Sequence, residues 1–361
     1  MGCVSAQTSS LQAAAASDGI VARQRTVHHF GPDPAYVGGM GSVIRVLAEH
    51  RVGGNTVKVH PTWRPTARLA SLPLASMATR AIPRVGRLDI VHVHLAEGGS
   101  FLREGAVVAL ARSLNKATVV TIHGADFLPF AQVHPRLASQ VLRRAHVVTC
   151  LSDDVRERVC QLAPRTRVEL MPNPVTMPSD LSTADETDEI VLFAGEIGLR
   201  KGADVLSRAW PLVIASRPRA RCIMVGPVND FAVPATTGLE VRGAVGSEVM
   251  HKLLRSARAV ALPSRAEGMP MILTEAMSHG RPFVSTPVGA ICELAKEGGM
   301  LVPVGDEVAL ARSLVELLAD RLLARSIGEH GRRFCRQTRS VEVIDTRLDA
   351  LYMLAEERRS A

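Results

Sequence analysis

Two carboxylates, Glu267 and Glu275, stand on either side of Pro270 in PSRAEGMPMILTEAMSHGRP (263–282). The apolar run RAVALPS (258–264) just before them has the composition of a short buried strand, so the pair flanks a strand-to-helix loop. Pro270 suits the first helical position, where its missing N–H would be unpaired in any residue. The amides of Met271, Ile272 and Leu273 would then face outward at the positive end of the helix dipole, ready for a phosphate. An ionised carboxylate only accepts hydrogen bonds and repels that anion, which assigns Glu267 and Glu275 to donors on either side of it. Sugar hydroxyls are such donors, and hydroxylated rings flanking a diphosphate describe a sugar nucleotide. Taken singly, Glu267 is equally a helix cap and Glu275 a solvated helix residue. The pair at one helix entrance is what points to a ligand.

Five other loops carry groups of comparable interest. FAGEIGLRKG (193–202) places Arg200 and Lys201 between a strand and a helix, with the acid Glu196 ahead of them. In YVGGMGSVIRVL (36–47), Gly38, Gly39 and Gly41 stand just ahead of a helix, where glycine lets a backbone approach a ligand closely and equally serves any tight turn. VTIHGADF (120–127) ends a strand at His123, either a ligand contact or a half-buried histidine satisfied by backbone. HVHLAEGGSFLREG (92–105) offers Ser100 and Arg103 toward an acceptor phosphate, and in MPNPV (171–175) Asn173 shapes a turn.

These loops need a scaffold that brings strand ends together. Short apolar runs alternate with helical periodicity: DIVHVHL (89–95), TVVTIHG (118–124) and HVVTCLS (146–152), then EIVLFAG, RCIMVG, LEVRG, RAVALPS and PFVST from 189 onward. Strands bracketed by helices predict parallel sheets wound on both faces. Between the two series, MPSDLSTADETDE (177–189) is rich in proline, serine and acids, as a linker is. At 361 residues the chain exceeds the ~250 to 300 at which single cores stop growing. The expected organisation is α/β: a flexible N-terminal tail (1–20), a Rossmann-like domain (21–172), a linker (173–188), a second Rossmann-like domain (189–335), and a C-terminal helix (336–361) that packs back on the first. Ligands of such sheets bind beyond the carboxyl ends of the strands, here in the cleft between domains.

Composition narrows the class. Hydrophobic residues at 47% and charged residues at 22% describe a globular chain. No apolar run reaches the ~20 residues of a membrane span, and no signal peptide is evident, so a cytoplasmic location is expected. Six scattered cysteines without a CxxC pair argue against zinc or a disulfide frame. Net charge is +8, held in the first half: residues 1–170 carry 20 Lys/Arg against 11 Asp/Glu, the remainder 23 against 24. That basic half suits an anionic lipid surface, or merely keeps the protein soluble. No aromatic stacking set or recognition motif accompanies it, which disfavours nucleic acid.

The stretch PSRAEGMPMILTEAMSHGRPFVSTPVGA resembles the E-x7-E signature of the family-4 retaining glycosyltransferases of GT-B fold, with EG, EAM, GRP and the following glycine in place. The resemblance covers about residues 30 to 335. It implies a sugar nucleotide as donor, with Glu267 near the donor sugar and Glu275 on the ribose, on either side of the diphosphate that the helix dipole already assigns to the Met271 and Ile272 amides. FAGEIGLRKG is similar to the family's G-R-x4-K-G segment, so Lys201 takes the phosphate-binding role. Glu196 stands where the family has arginine, and Arg200 is either its substitute or a surface residue. The Gly39 and Gly41 loop is implied near the donor phosphates and acceptor. His123, in a segment similar to the family's HGSD type, is implied at the donor sugar. Catalytic roles thus fall on His123, Glu267 and Lys201. No carboxylate nucleophile stands beside His123 and no DxD motif is present, so front-face displacement without metal or other cofactor is expected. A saccharide or lipid-linked acceptor at the inner membrane face, in surface polysaccharide or glycolipid synthesis, fits the basic half. A sugar-nucleotide epimerase of the same fold and a non-catalytic sugar-nucleotide-binding partner are the alternatives.

Overall fold

The runs IVHVHL and ATVVTI become neighbouring strands because each can bury both of its faces. β3 (Ile90–Leu95) and β4 (Ala117–Ile122) are buried along their whole length. In the computed structural model, which describes residues 25–35, 38–50, 55–64, 71–180 and 182–360, they lie at the centre of a six-stranded sheet. β1 (Thr26–Pro32), β2 (Thr56–Trp63), β5 (Val147–Cys150) and β6 (Arg167–Leu170) complete it in the order β2-β1-β3-β4-β5-β6, all parallel. The expected tail at 1–20 lies outside the described residues. From sequence, the alternation starts at 89–95, whereas the structure begins it two strands earlier. TVHHFGP and TVKVHPTW hide as strands because histidine, glycine and proline interrupt their β-branched pattern.

The second sheet is also six-stranded and parallel. β7 (Ile190–Ala194), β8 (Arg221–Val225), β9 (Leu239–Arg242), β10 (Ala259–Leu262), β11 (Phe283–Ser285) and β12 (Gly299–Leu301) take the order β12-β11-β10-β7-β8-β9. The order reverses between β7 and β10 here and between β1 and β3 in the first sheet, and such reversals open a crevice at the strand ends. The loops after β7 and β10 are those that carry Lys201 and Glu267.

Between β4 and β5 the chain forms two helices, Phe127–Val133 and Pro135–Leu142. Pro135 cannot donate to the preceding turn and pushes His134 out of helical geometry, to φ −123° and ψ 53°. The helix after β1 spans Gly39–Glu49, so Gly39 and Gly41 lie in its first turn rather than ahead of it, and Gly41 is buried.

The chain passes between the two halves at two adjoining points. Val175 N donates to Arg339 O at 2.9 Å, beside a bridge between Val175 and Ser340. The last helix, Val341–Ser360, then lies against the first sheet, where Ile344, Leu348, Leu351 and Tyr352 pack on Val27, Ile90, Val119 and Val147. Arg25 adds ion-pair contacts to Asp349 at 3.8 Å and Glu356 at 3.5 Å.

Candidate active site

β10 ends at Leu262, and the segment that follows turns tightly before the helix Met271–Ser278. Pro270 is the residue before that helix, with φ −70° and ψ 118°, rather than its first helical residue. Its carbonyl accepts from Leu273 N at 3.2 Å, so the Leu273 amide expected at a phosphate is already engaged. Among the described residues the amides of Met271 and Ile272 have no backbone partner, and they form the open positive end of the helix. Their side chains are buried, which fixes that end against the first half of the molecule: Met271 packs with Val43 and Leu47.

Glu267 is buried and held from two directions. Lys201 Nζ stands 2.5 Å from Glu267 Oε1, and Ser264 Oγ donates to the same oxygen at 2.8 Å. The structure thus brings together the lysine and the acid that sequence assigns to phosphate and sugar. Lys201 reaches there from the loop after β7, which closes at Gly202 with φ 73°; a Cβ at Gly202 would stand 2.0 Å from Pro263 O, so the two loops touch through glycine. Arg200 is exposed, and its Nη1 reaches Ala266 O at 3.3 Å, beside Glu267. Glu196 is half-buried and makes no ion pair among the described residues.

His123 faces this arrangement from the other sheet. A Cβ at Gly268 would lie 2.7 Å from His123 O, so the Glu267 loop rests on the His123 loop with no room for a side chain. A cavity of about 310 Å³ between them is lined by His123, Asp126, Ser152, Asp154, Arg265 and Glu267, among others. Burial pushes the His123 imidazole down to about 3, so it is neutral at physiological pH. Its Nε2 is 2.9 Å from His94 Nδ1; another imidazole, not backbone, satisfies it.

Glu275 lies one helical turn on, half-buried. Burial raises its carboxyl above the usual range, against the pull of Arg45 on the facing helix Gly39–Glu49. Gly39 on that helix has open space where a Cβ would stand. Asn173 donates to Met269 O at 3.4 Å and so braces the segment before the Glu275 helix from the domain crossing. Arg103 is forked onto buried Glu104, at 2.9 and 3.3 Å, and Ser100 Oγ accepts from Ala96 N at 3.0 Å. Both residues expected at an acceptor phosphate are therefore tied within their own segment.

The main feature missed from sequence is a buried histidine face on the first sheet. His29 pairs with His92 in register between β1 and β3, and His94 lies on the same face two residues on. The signal is HVH (92–94) within the run DIVHVHL, two imidazoles spaced by the strand period.

Sequence models of two families match the chain, "Glycosyltransferase Family 4" over residues 27–177 and "Glycosyl transferases group 1" over 188–320. A phosphatidyl-myo-inositol mannosyltransferase of Mycobacterium leprae is 27% identical over 315 residues, covering 78% of this chain and 80% of its own. A D-inositol 3-phosphate glycosyltransferase of Nocardioides is 26% identical over 320 residues, covering 74% and 69%. Among solved structures, a sucrose-phosphate synthase from Thermosynechococcus elongatus superposes with TM-score 0.72 at 19% identity, covering 91% of this chain and 98% of its own. Anabaena HepE, solved with UDP and glucose, gives 0.70 at 17%, covering 91% and 100%. At these identities the solved structures establish the arrangement of two doubly wound sheets, the GT-B fold.

Proposed function

The chain belongs to the family-4 glycosyltransferases, and from that membership we propose that it moves a hexose from a nucleoside diphosphate sugar, with retention of configuration, to a saccharide or lipid-linked acceptor. The observation that carries this reading is the contact of Lys201 with Glu267 at 2.5 Å, beside the open amides of Met271 and Ile272 and across from His123. An anionic diphosphate entering there meets one ammonium and two N–H donors, while Glu267 and Glu275 accept from hydroxyls on its two sides. Glu267 serves the donor sugar, Glu275 the ribose, and Gly39 leaves space for the donor at the facing helix, where Gly41 is buried.

Reaction breaks the bond between the anomeric carbon and the β-phosphate oxygen and forms the bond to the acceptor oxygen on the same face. The acceptor's proton passes to the departing phosphate. Charge building on that phosphate is met by Lys201, by Arg200 swinging in from beside Ala266, and by the two amides, with no metal or other cofactor required. His123, neutral at its site, contacts the sugar through a hydrogen bond rather than a charge.

The M. leprae relative is named for phosphatidyl-myo-inositol, and the basic first half of this chain favours an acceptor at an anionic, inner membrane surface in glycolipid or polysaccharide synthesis. Among the described residues no helix is long and apolar enough to cross a membrane, so such contact would be peripheral.

Thermal-shift measurement with UDP-glucose, UDP-N-acetylglucosamine and GDP-mannose, followed by product analysis with the stabilising donor, tests the proposal. Stabilisation by none of them refutes it. Half-buried Glu196, in the family's arginine position, keeps the non-catalytic partner reading in play. Isomerised donor appearing without acceptor would instead identify an epimerase.

A further inference from the structure

Three imidazoles of the first sheet form one hydrogen-bonded row that ends at the cleft. His29 Nδ1 is 2.9 Å from His94 Nε2, and His94 Nδ1 is 2.9 Å from His123 Nε2. The rings stack along the row, with centroids 5.2 Å and 5.1 Å apart. His29 and His94 are each 1% exposed. Burial keeps every member neutral, with His29 down to about 3 and His94 well below its usual value.

A neutral imidazole has one N–H donor and one bare acceptor nitrogen. Two nitrogens at this distance require a proton on one of them. His94 is engaged on both sides, so it donates on one and accepts on the other. Only two proton orders satisfy the row. In one, all three residues carry hydrogen on Nδ1; in the other, all three carry it on Nε2. The nitrogen of His123 left over is Nδ1, which has no protein partner among the described residues, and His123 lines the cavity. That nitrogen is an N–H donor in the first order and an acceptor in the second.

The same cluster invites a metal, since nitrogens of His29, His92 and His94 lie within 4.8 Å of one another. Their bonding speaks against it. His92 already uses Nδ1 on Tyr352 Oη and Nε2 on Thr121 Oγ1, each at 2.8 Å, and His94 uses both nitrogens in the row. An ion bound by all three would strip hydrogen bonds from buried partners that have no water to replace them.

We propose that His94, backed by His29, is a positioning residue that sets the tautomer of His123 and thereby fixes whether its Nδ1 gives or takes a hydrogen bond from a ligand hydroxyl in the cleft. The inference rests on the reading of His123 as a ligand contact. His94 touches no ligand itself.

Long-range ¹H–¹⁵N correlation on full-length protein labelled at histidine reads each tautomer directly. His29, His94 and His123 are expected to share one tautomer. His94→Phe keeps an aromatic ring but no nitrogen and is expected to leave His123 a mixture of both forms. His94→Asn places an amide near the former Nδ1 and restores a single form, whereas His94→Gln, reaching toward the former Nε2, does not. Transfer or hydrolysis of UDP-glucose and GDP-mannose should fall about tenfold in kcat for the Phe variant, the scale of one lost hydrogen bond, and less for Asn. A packing role alone predicts the reverse, with Phe the better substitute. Unlike tautomers in the native row overturn the inference and need no variant to fold. An unchanged His123 in a folded His94→Phe protein also overturns it, as does stoichiometric Zn²⁺ moving all three signals to metal-bound values. If His123→Ala leaves turnover intact while the shared tautomer stands, the ligand-contact reading has failed rather than the row.

Discussion

Replacing Lys201 by Met removes the ammonium at nearly constant length and separates its two roles. The Lys201 and Glu267 side chains are 14% and 6% exposed, so the substitution strands a buried carboxylate. Breaking a fully buried pair costs about 3–5 kcal/mol. Here Ser264 Oγ still donates to Glu267 at 2.8 Å, and a surviving hydrogen bond to a charged group offsets about 1.5–3 kcal/mol of that. We therefore expect a net loss of about 2 kcal/mol, or about 4–8 °C in the melting of the second domain. The effect on transfer should be larger, because Lys201 meets charge that grows as the diphosphate departs. Removing one such donor lowers kcat by about 10²–10³. Adding Glu267→Gln removes the stranded charge and should recover most of the lost stability while turnover stays low. Scanning calorimetry and a donor-turnover assay on both variants complete the test. A Lys201→Met protein that loses the stability yet keeps kcat within about threefold of native, roughly 0.7 kcal/mol in the barrier, would refute the catalytic assignment and leave only a structural ion pair.

Glu275→Gln should weaken donor binding about tenfold with little change in kcat, since a ribose contact is made equally in the ground and transition states; titration calorimetry with the stabilising donor measures it. Glu196→Arg should tighten the same binding by supplying a cation at the diphosphate, and an unchanged or weaker Kd rejects that placement. Acid should destabilise the fold early: His29 and His123 are held down to about 3 and His60 and His279 to about 4, so between those values and ~6.5 the unfolded chain binds more protons. Each such group then removes about 1.4 kcal/mol per pH unit as pH falls below ~6.5, and a melting temperature that stays flat from pH 7 to 4.5 contradicts the neutral buried imidazoles. Sedimentation with vesicles should favour anionic over neutral lipid and weaken with salt; equal binding to both discards the membrane-facing role of the basic half.

How far the site could be read from sequence depends on the range of the interaction involved. That Glu267 and Glu275 flank a strand-to-helix loop was legible, with the helix start expected one residue early at Pro270, because a strand end, a proline and an apolar period are local signals. The meeting of Lys201 with Glu267 rests on a crossover between β7 and β10, which no local pattern announces. β1 was missed because His28, His29, Gly31 and Pro32 break the β-branched texture, and with it went the register that sets His29 beside His92. Arg103 illustrates the opposite error: an exposed-looking cation beside glycines invites a phosphate, but its nearest acid is the next residue, and the fork onto buried Glu104 appears only once Thr62 of β2 is seen donating to that same carboxylate.

The histidine face also explains what the last helix does for the cleft. Tyr352 on Val341–Ser360 bonds His92 at 2.8 Å, His92 bonds Thr121, and Thr121 bonds Thr149 at 2.6 Å, a polar chain across β3, β4 and β5 under an otherwise apolar cover. Each of these groups would be costly to bury alone, so the chain holds only as a set. Tyr352→Phe therefore removes more than one contact: it leaves a His92 nitrogen unsatisfied beside the row that ends at His123. A loss of about 1–3 kcal/mol is expected, and urea unfolding measures it. Because His92 and His94 also stack at 4.5 Å, the same substitution should broaden the His123 signal, tying docking of the C-terminal helix to the order of the site. A destabilised Tyr352→Phe protein with His123 unperturbed would show that the two hydrogen-bond sets, though adjacent, act independently.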